Sequence, residues 1–107
     1  MKPYNLHIAY VSWSASGKRR PVLVLSSDDK EVAVFQITSQ YENKSESIKA
    51  QYIAINDWQQ AGLNKQSYID IGRIVDLPIT TVNPTPIGKL SRKDLRNLLA
   101  VIDTSRL

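Results

Sequence analysis

The 107-residue chain contains no cysteine and a single histidine, His7. The absence of cysteine excludes disulfide bonds, thiolate nucleophiles and cysteine-ligated zinc, and one histidine leaves little for a histidine-based metal site. No apolar run approaches the ~20 residues that a membrane-spanning helix needs, and residues 1–13 lack the pattern of a secretion signal. These absences predict a cytoplasmic protein with no metal, no other cofactor and no membrane partner.

What the chain does contain is ordinary for a small globular domain. Hydrophobic residues make up 42% and charged residues 22% of the sequence. This length and composition predict one domain over residues 1–107 with a single modest core. Lys and Arg exceed Asp and Glu by 14 to 10, a net charge of +4, which favours an anionic partner.

Short strands dominate the pattern along the chain. Residues 22–25 form a continuous aliphatic run, which is typical of a strand buried on both faces, and Pro21 stands at its start. Turns are predicted at residues 12–17 and 26–30, a long polar loop at 41–49, and a short helix at 58–61 capped by Asp57 and ended by Gly62. The predicted strands are residues 6–11, 22–25, 32–38, 52–55, 67–71, 73–77 and a short one within 87–90.

The last element has the clearest signal. Ser91 and Asp94 resemble a capping box with Asp in place of Glu, and Leu95, Leu98, Leu99 and Ile102 recur at helical spacing. The whole pattern predicts a mainly β protein: a small, strongly bent antiparallel sheet or barrel with a C-terminal α-helix packed against it.

Four ordered blocks carry a family resemblance. They are "RRPVLVLSS" (19–27), "VFQITSQ" (34–40), "YIDIGRIVDLP" (68–78) and "IGKLSRKDLRNLL" (87–99). Over roughly residues 6–100 the chain resembles the MazF/PemK toxins of bacterial type II toxin–antitoxin systems. The resemblance implies an SH3-like barrel, a homodimer, an antitoxin partner with an acidic flexible segment, and growth arrest through cleavage of single-stranded RNA at short sequence motifs, independently of ribosomes and metal.

By this resemblance Arg20, directly before Pro21, matches the catalytic arginine of the family, and Thr38 of "ITS" matches the residue that stabilises the scissile phosphate beside it. Physical chemistry supports the arginine, because its planar fork suits a phosphate and the proline and buried strand after it would hold it in place. The alternatives are a solvated charge at a strand end for Arg20 and an exposed strand end for Thr38.

RNA contacts are predicted from the flanking residues. Lys18 and Arg19 could hold backbone phosphates, Ser39 and Gln40 extend the polar rim beyond Thr38, and Trp13 could stack an unpaired base or belong to the core. The loop from Ser12 to Lys18 is shorter than in many members of the family and carries neither the acidic residue nor the histidine often found there, which predicts a different grip on the substrate.

The general base is left open. His7 has a suitable ordinary pKa, but a lone histidine in a first strand is commonly structural, and Asp70 is a second possibility. Two other function classes also stay open: a barrel that acts only by binding a protein, as gyrase-poisoning toxins do, and a barrel that binds RNA without cleaving it.

Overall fold

The computed structural model describes residues 1–13 and 16–105, except for the side chains of Trp13, Ser16, Thr104 and Ser105. The chain is mainly β, and its one long helix follows the last strand. The strands are β1 (Asn5–Trp13), β2 (Ser16–Ser27), β3 (Glu31–Thr38), β4 (Tyr52–Ile55), β5 (Ser67–Pro78) and β6 (Gly88–Lys89). The helical segments are α1 (Glu46–Lys49), a 3₁₀ turn (Ile79–Thr81) and α2 (Arg92–Ser105).

These strands form one six-stranded antiparallel sheet in the order β4-β5-β3-β2-β1-β6. The pairing register shifts between Val24 and Ser26 of β2, and between Val34 and Gln36 of β3. Such bulges bend and twist the strands that carry them. The sheet is accordingly curled into a half-barrel, and the predicted fold class of bent antiparallel strands with a C-terminal helix is confirmed.

Strand β2 is buried on both faces, as its aliphatic run predicts. Val22 and Val24 belong to one hydrophobic cluster, Leu23 belongs to another, and all three are fully buried. The helix-side cluster consists of Leu6, Leu23, Phe35, Ile37, Ile53, Ile55, Ala61, Ile69, Leu90 and Leu98. The opposite-face cluster consists of Ala9, Val11, Val22, Val24, Val32, Val34, Leu77 and Val82. Close packing on both sides gives the residues before Val22 a rigid base.

Helix α2 begins at a buried polar group. The Ser91 hydroxyl accepts a hydrogen bond from the backbone N–H of Asp94 at 3.2 Å, which is one half of the predicted capping box. The Asp94 carboxylate accepts hydrogen bonds from the backbone N–H groups of Asn56 (3.0 Å) and Asp57 (2.8 Å). The predicted capping box would instead have it accept from the backbone N–H of Ser91. Ser91 also donates to the Asp57 carboxylate at 2.6 Å. The start of α2 is thus fastened to the loop that follows β4.

Several local predictions are wrong. The predicted turn at residues 12–17 is too long, because Ser12 and Gly17 face each other as a strand pair. Residues 58–61 form hydrogen-bonded turns in place of a helix, since the Asp57 side chain is engaged with Ser91. The polar segment 41–49 contains α1, capped by the Ser45 hydroxyl.

Strand β5 is continuous through Gly72, where the sequence predicts two strands. The glycine therefore does not break the strand, and the nearest atoms to a Cβ there belong to the flexible side chain of Gln51, which can move away. On α2, Leu98 is fully buried, but Leu99, which belongs to the predicted apolar face, is 39% exposed. In residues 1–13 and 16–105, no helix combines the length and the hydropathy needed to span a membrane.

Candidate active site

Two rows of side chains cross one face of the sheet, because directly paired residues point the same way. The first row consists of His7, Val22, Gln36, Asp70 and Tyr52. Two residues further along the strands, the second row consists of Ala9, Arg20, Thr38, Tyr68 and Ala54. Arg20 and Thr38 each lie two residues beyond the paired Val22 and Gln36, so both continue this face past the last β2–β3 pair.

Arg20 and Thr38 both line an open cavity of about 500 Å³ at this end of β2 and β3. Lys18, Ser39 and Gln40 line the same cavity, so it brings together five of the seven site residues predicted from the sequence. Its apolar part is formed by Ile8, Pro21, Ile37, Leu63 and Ile87, and the far wall continues through Gly62, Asn64, Lys65 and Ser67.

The charged groups that line this cavity are all cationic. They are Lys18, Arg20 and Lys65, and no Asp or Glu of the described residues lines it. A concave site with one sign of charge focuses its field and concentrates ions of the other sign. The cavity is therefore suited to a polyanion, and Arg20 is the cation in it that can offer a planar, two-pronged contact to a phosphate.

The Thr38 hydroxyl is oriented by its own backbone. Its oxygen accepts a hydrogen bond from the N–H of Gln40 at 3.0 Å. A hydroxyl that accepts in this way still has its own proton to donate. Thr38 can therefore donate a hydrogen bond to a phosphate oxygen in the cavity from a fixed position next to Arg20.

The comparison with known families decides what kind of protein this is. The family model for PemK-like, MazF-like toxins of type II toxin–antitoxin systems matches residues 6–105. The chain belongs to this family. Toxins of the family are endoribonucleases, so the enzyme class predicted from the sequence is confirmed. No curated protein sequence matches the chain significantly.

Solved structures share the fold of this toxin. The Mycobacterium tuberculosis toxin MazF-mt6 superposes with a TM-score of 0.70 at 23% identity, over 94% of this chain and 93% of that one. An endoribonuclease in complex with its cognate antitoxin, from a mycobacterial species, gives a TM-score of 0.61 at 10% identity, over 96% of this chain and 90% of that one. At these identities the likeness shows the fold alone.

One of the predicted RNA-binding residues of the toxin, Arg19, lies elsewhere. Arg19 lines a second cavity, of about 310 Å³, together with Tyr10 and residues 80–84. Adjacent residues of an extended strand point to opposite faces, which is why Arg19 and Arg20 separate. The side chain of Trp13 lies outside the described part of the structure.

Neither candidate base lines the cavity. His7 is 2% exposed, and its Nδ1 is 2.8 Å from the carbonyl oxygen of Asn83, which can only accept, so Nδ1 carries the proton. Asp70 lies diagonally across from Thr38 in the first row and accepts a bond from the N–H of Gly72 at 2.9 Å. Within the described residues, no group of three or more His, Cys, Asp and Glu could hold a metal ion.

The far wall of the cavity was missed by the sequence analysis. Gly62, Asn64 and Lys65 line it, and they follow β4 by way of the turn that Asp94 holds. The segment "GLNKQ" that contains them looks like an ordinary turn in the sequence. Only the folded structure shows that Lys65 lines the same cavity as Arg20. The positive φ of Gly62, 87°, is the one local sign that its position is constrained.

Gly62→Ala should destabilise the toxin by about 2 kcal/mol or more, because a side chain there is strained at positive φ. A Cβ would also lie 2.1 Å from the carbonyl oxygen of Ile87, which belongs to the backbone and cannot swing away. Urea unfolding measures the loss, with Gln60→Ala, at an exposed position, as the control. A loss below about 0.5 kcal/mol, the usual size for a surface change, would contradict this account.

Proposed function

We propose that this toxin cleaves single-stranded RNA at a short sequence motif without a metal ion, and that Arg20 and Thr38 act on the scissile phosphate. The supporting observation is the cavity that both residues line, whose charged groups are all cations. A phosphodiester chain is the polyanion that the predicted endoribonuclease must hold, and the cavity is open enough to admit it from solvent.

In the proposed reaction the RNA supplies its own nucleophile. The 2′-OH next to the scissile phosphate loses its proton and attacks phosphorus, the O2′–P bond forms, the P–O5′ bond breaks, and a proton goes to O5′. The products are a 2′,3′-cyclic phosphate and a 5′-hydroxyl. Negative charge builds on the non-bridging oxygens in the transition state, and fixed donors aimed at that charge are the largest usual contribution of a protein.

We assign that stabilisation to Arg20, through paired N–H···O contacts, and to the Thr38 hydroxyl. By the family resemblance, Arg20 also takes part in proton transfer. Lys18, Ser39 and Gln40 hold the adjoining nucleotides in the same cavity, Arg19 contacts RNA outside it, and Trp13 also contacts RNA.

The same cationic cavity fits the acidic, flexible segment of a cognate antitoxin, which would block RNA by occupying its place. We further propose that the toxin acts in the cytoplasm as a homodimer and arrests growth by destroying messenger RNA. A direct test of this arrangement is whether a cognate antitoxin competes with RNA for the wild-type protein.

The reaction is tested by incubating the purified toxin with a long mixed-sequence RNA in excess EDTA and mapping the new ends. We expect discrete cuts whose 5′ ends accept phosphate from a kinase, as a 5′-hydroxyl does, and whose 3′ ends resist periodate oxidation, as a 2′,3′-cyclic phosphate does. Intact RNA with a folded protein would overturn the proposal, and would favour a module that binds protein or RNA without cleavage.

Thr38→Val should lower the cleavage rate by about 10- to 100-fold, the value of one hydrogen bond to a charged group at ~1.5–3 kcal/mol. Valine keeps the shape and the strand preference of threonine but has no hydroxyl. Single-turnover cleavage of one mapped site, with Thr38→Ser as the variant that restores the hydroxyl, measures the effect. Equal rates for the valine and serine variants would show that the hydroxyl has no part in the reaction.

A further inference from the structure

Three tyrosines form a cluster beside the candidate active site. The rings of Tyr41 and Tyr68 stack with centroids 4.3 Å apart and planes 13° apart. Tyr52 completes the cluster at 6.2 Å from Tyr41 and 6.4 Å from Tyr68. All three side chains are only partly buried and can be reached from solvent. We call Tyr41, Tyr52 and Tyr68 the tyrosine cluster.

The sheet register places this cluster directly next to the scissile phosphate of the proposed reaction. Tyr68 is the cross-strand partner of Thr38, and directly paired residues have Cβ atoms about 5 Å apart on one face. Tyr41 follows Gln40, whose N–H orients the Thr38 hydroxyl. The cluster therefore lies one strand further across the sheet than Thr38, on the side away from Arg20.

One face of Tyr41 is covered in a way that a ligand can displace. Tyr68 stacks on the ring, and the Lys49 ammonium lies over the ring at 4.9 Å from its centroid. The Lys49 side chain is 19% exposed, and its ammonium is at the long distance of 4.0 Å from the exposed Glu46 carboxylate. A nucleobase that stacks on Tyr41 takes the place of this ammonium over the ring.

The phenol of Tyr52 adds a neutral donor to the site. Burial raises the pKa of Tyr52, and the negative charge of Asp70 raises it further. The phenol therefore keeps its proton at neutral pH and does not repel a phosphate or the acceptor atoms of a base.

We propose that the tyrosine cluster binds a nucleobase of the RNA adjacent to the scissile phosphate, with the base stacked on Tyr41 and Lys49 moved from the ring to a backbone phosphate. The combination of aromatic faces with a nearby cation is the usual means of holding unpaired bases. The inference rests on the proposed function for the position of the scissile phosphate, but it concerns binding and can be tested without cleavage.

The first test uses an RNA that cannot be cut. A short mixed-sequence 2′-O-methyl RNA carrying a fluorophore lacks the nucleophile, and its anisotropy reports affinity. Tyr41→Leu, which keeps an apolar side chain but removes the ring, should weaken binding by about 5- to 100-fold, the range for loss of one stacked base. Tyr41→Phe should recover most of that loss, while Arg96→Ala, an exposed arginine of α2, should leave affinity within about 2-fold.

The second test locates the base. The same RNA with 4-thiouridine is irradiated with the wild-type toxin, and crosslinked peptides are identified by mass spectrometry. Crosslinks to Tyr41, Tyr52 or Tyr68 support the proposal. Crosslinks confined to the second cavity, around Tyr10 and Arg19, would overturn it, as would unchanged affinity of a folded Tyr41→Leu protein.

The two proposals fail separately. If the wild type cuts long RNA and Tyr41→Leu binds and cuts as the wild type does, the tyrosine cluster has no part in binding and the proposed function stands. If the wild type cuts no RNA, the proposed function falls, and the anisotropy and crosslinking results still decide whether the cluster holds a base. A retained cluster contact would then identify a non-cleaving RNA-binding protein.

Discussion

Arg20→Ala is expected to reduce RNA cleavage by about 10²- to 10³-fold, the loss found when one fixed donor is removed from a developing oxyanion. Arg20 starts from strand β2, which is packed on both faces just beyond it, so the guanidinium is held in place before the substrate arrives. Alanine removes both the charge and the paired N–H groups at the cavity. The measurement is single-turnover cleavage at one mapped site in excess EDTA.

Two variants sharpen that experiment. Arg20→Lys keeps the charge but lacks the planar fork, so its rate should fall between those of the wild type and the alanine variant. Arg96→Ala removes the same side chain from an exposed place on α2 and should cleave as the wild type does. Full activity of a folded Arg20→Ala protein would remove this residue from the mechanism.

Asp94→Ala is expected to lower the free energy of unfolding by about 3 kcal/mol or more. The carboxylate is part of a residue that is 2% exposed, and it accepts two backbone N–H bonds, from Asn56 and Asp57. Each hydrogen bond to a charged group contributes ~1.5–3 kcal/mol, and the two donors would be left without their partner. Small domains are stable by only ~5–15 kcal/mol in total, so urea denaturation should show a large fall in midpoint.

A matched control is available on the same helix. Asp103→Ala removes an exposed carboxylate and should change stability by no more than about 0.5 kcal/mol. Asp94→Asn should lie between the two, because its amide oxygen can accept one of the bonds while its NH₂ group meets the other donor. A loss below about 1 kcal/mol for Asp94→Ala would mean that the clamp on the loop after β4 is unimportant.

The strands were predictable wherever the pattern of hydrophobic residues in the sequence matches the burial of their side chains. The aliphatic run at residues 22–25 predicted a strand with two covered faces, and the two clusters that share β2 confirm this. The errors fall where tertiary contacts override local preference. Asp57 is of a residue type that often caps helices, but its carboxylate accepts a hydrogen bond from the hydroxyl of Ser91, 34 residues away. Such a long-range contact leaves no local pattern in the sequence.

The candidate site, like the fold, was only partly predictable from the sequence. The resemblance to a family identified Arg20 and Thr38 by motif, and both line the same cavity in the structure. Lys65 and the tyrosine cluster could not be found from the sequence, because their relevance depends on which strands are neighbours. Nothing in the segment "YIDIG" distinguishes Tyr68 as a functional residue. Its position becomes relevant only because β5 pairs with β3, which places Tyr68 opposite Thr38.

The burial of β2 between two clusters also bears on how such a toxin can be controlled. A side chain rooted in a strand that both cores share cannot be released by partial opening, since either core would have to be disrupted first. The arrangement of Arg20 therefore persists for as long as the molecule stays folded. Opening this strand to disable Arg20 would cost the packing of both clusters, so covering the cavity is a route to control that leaves the fold intact.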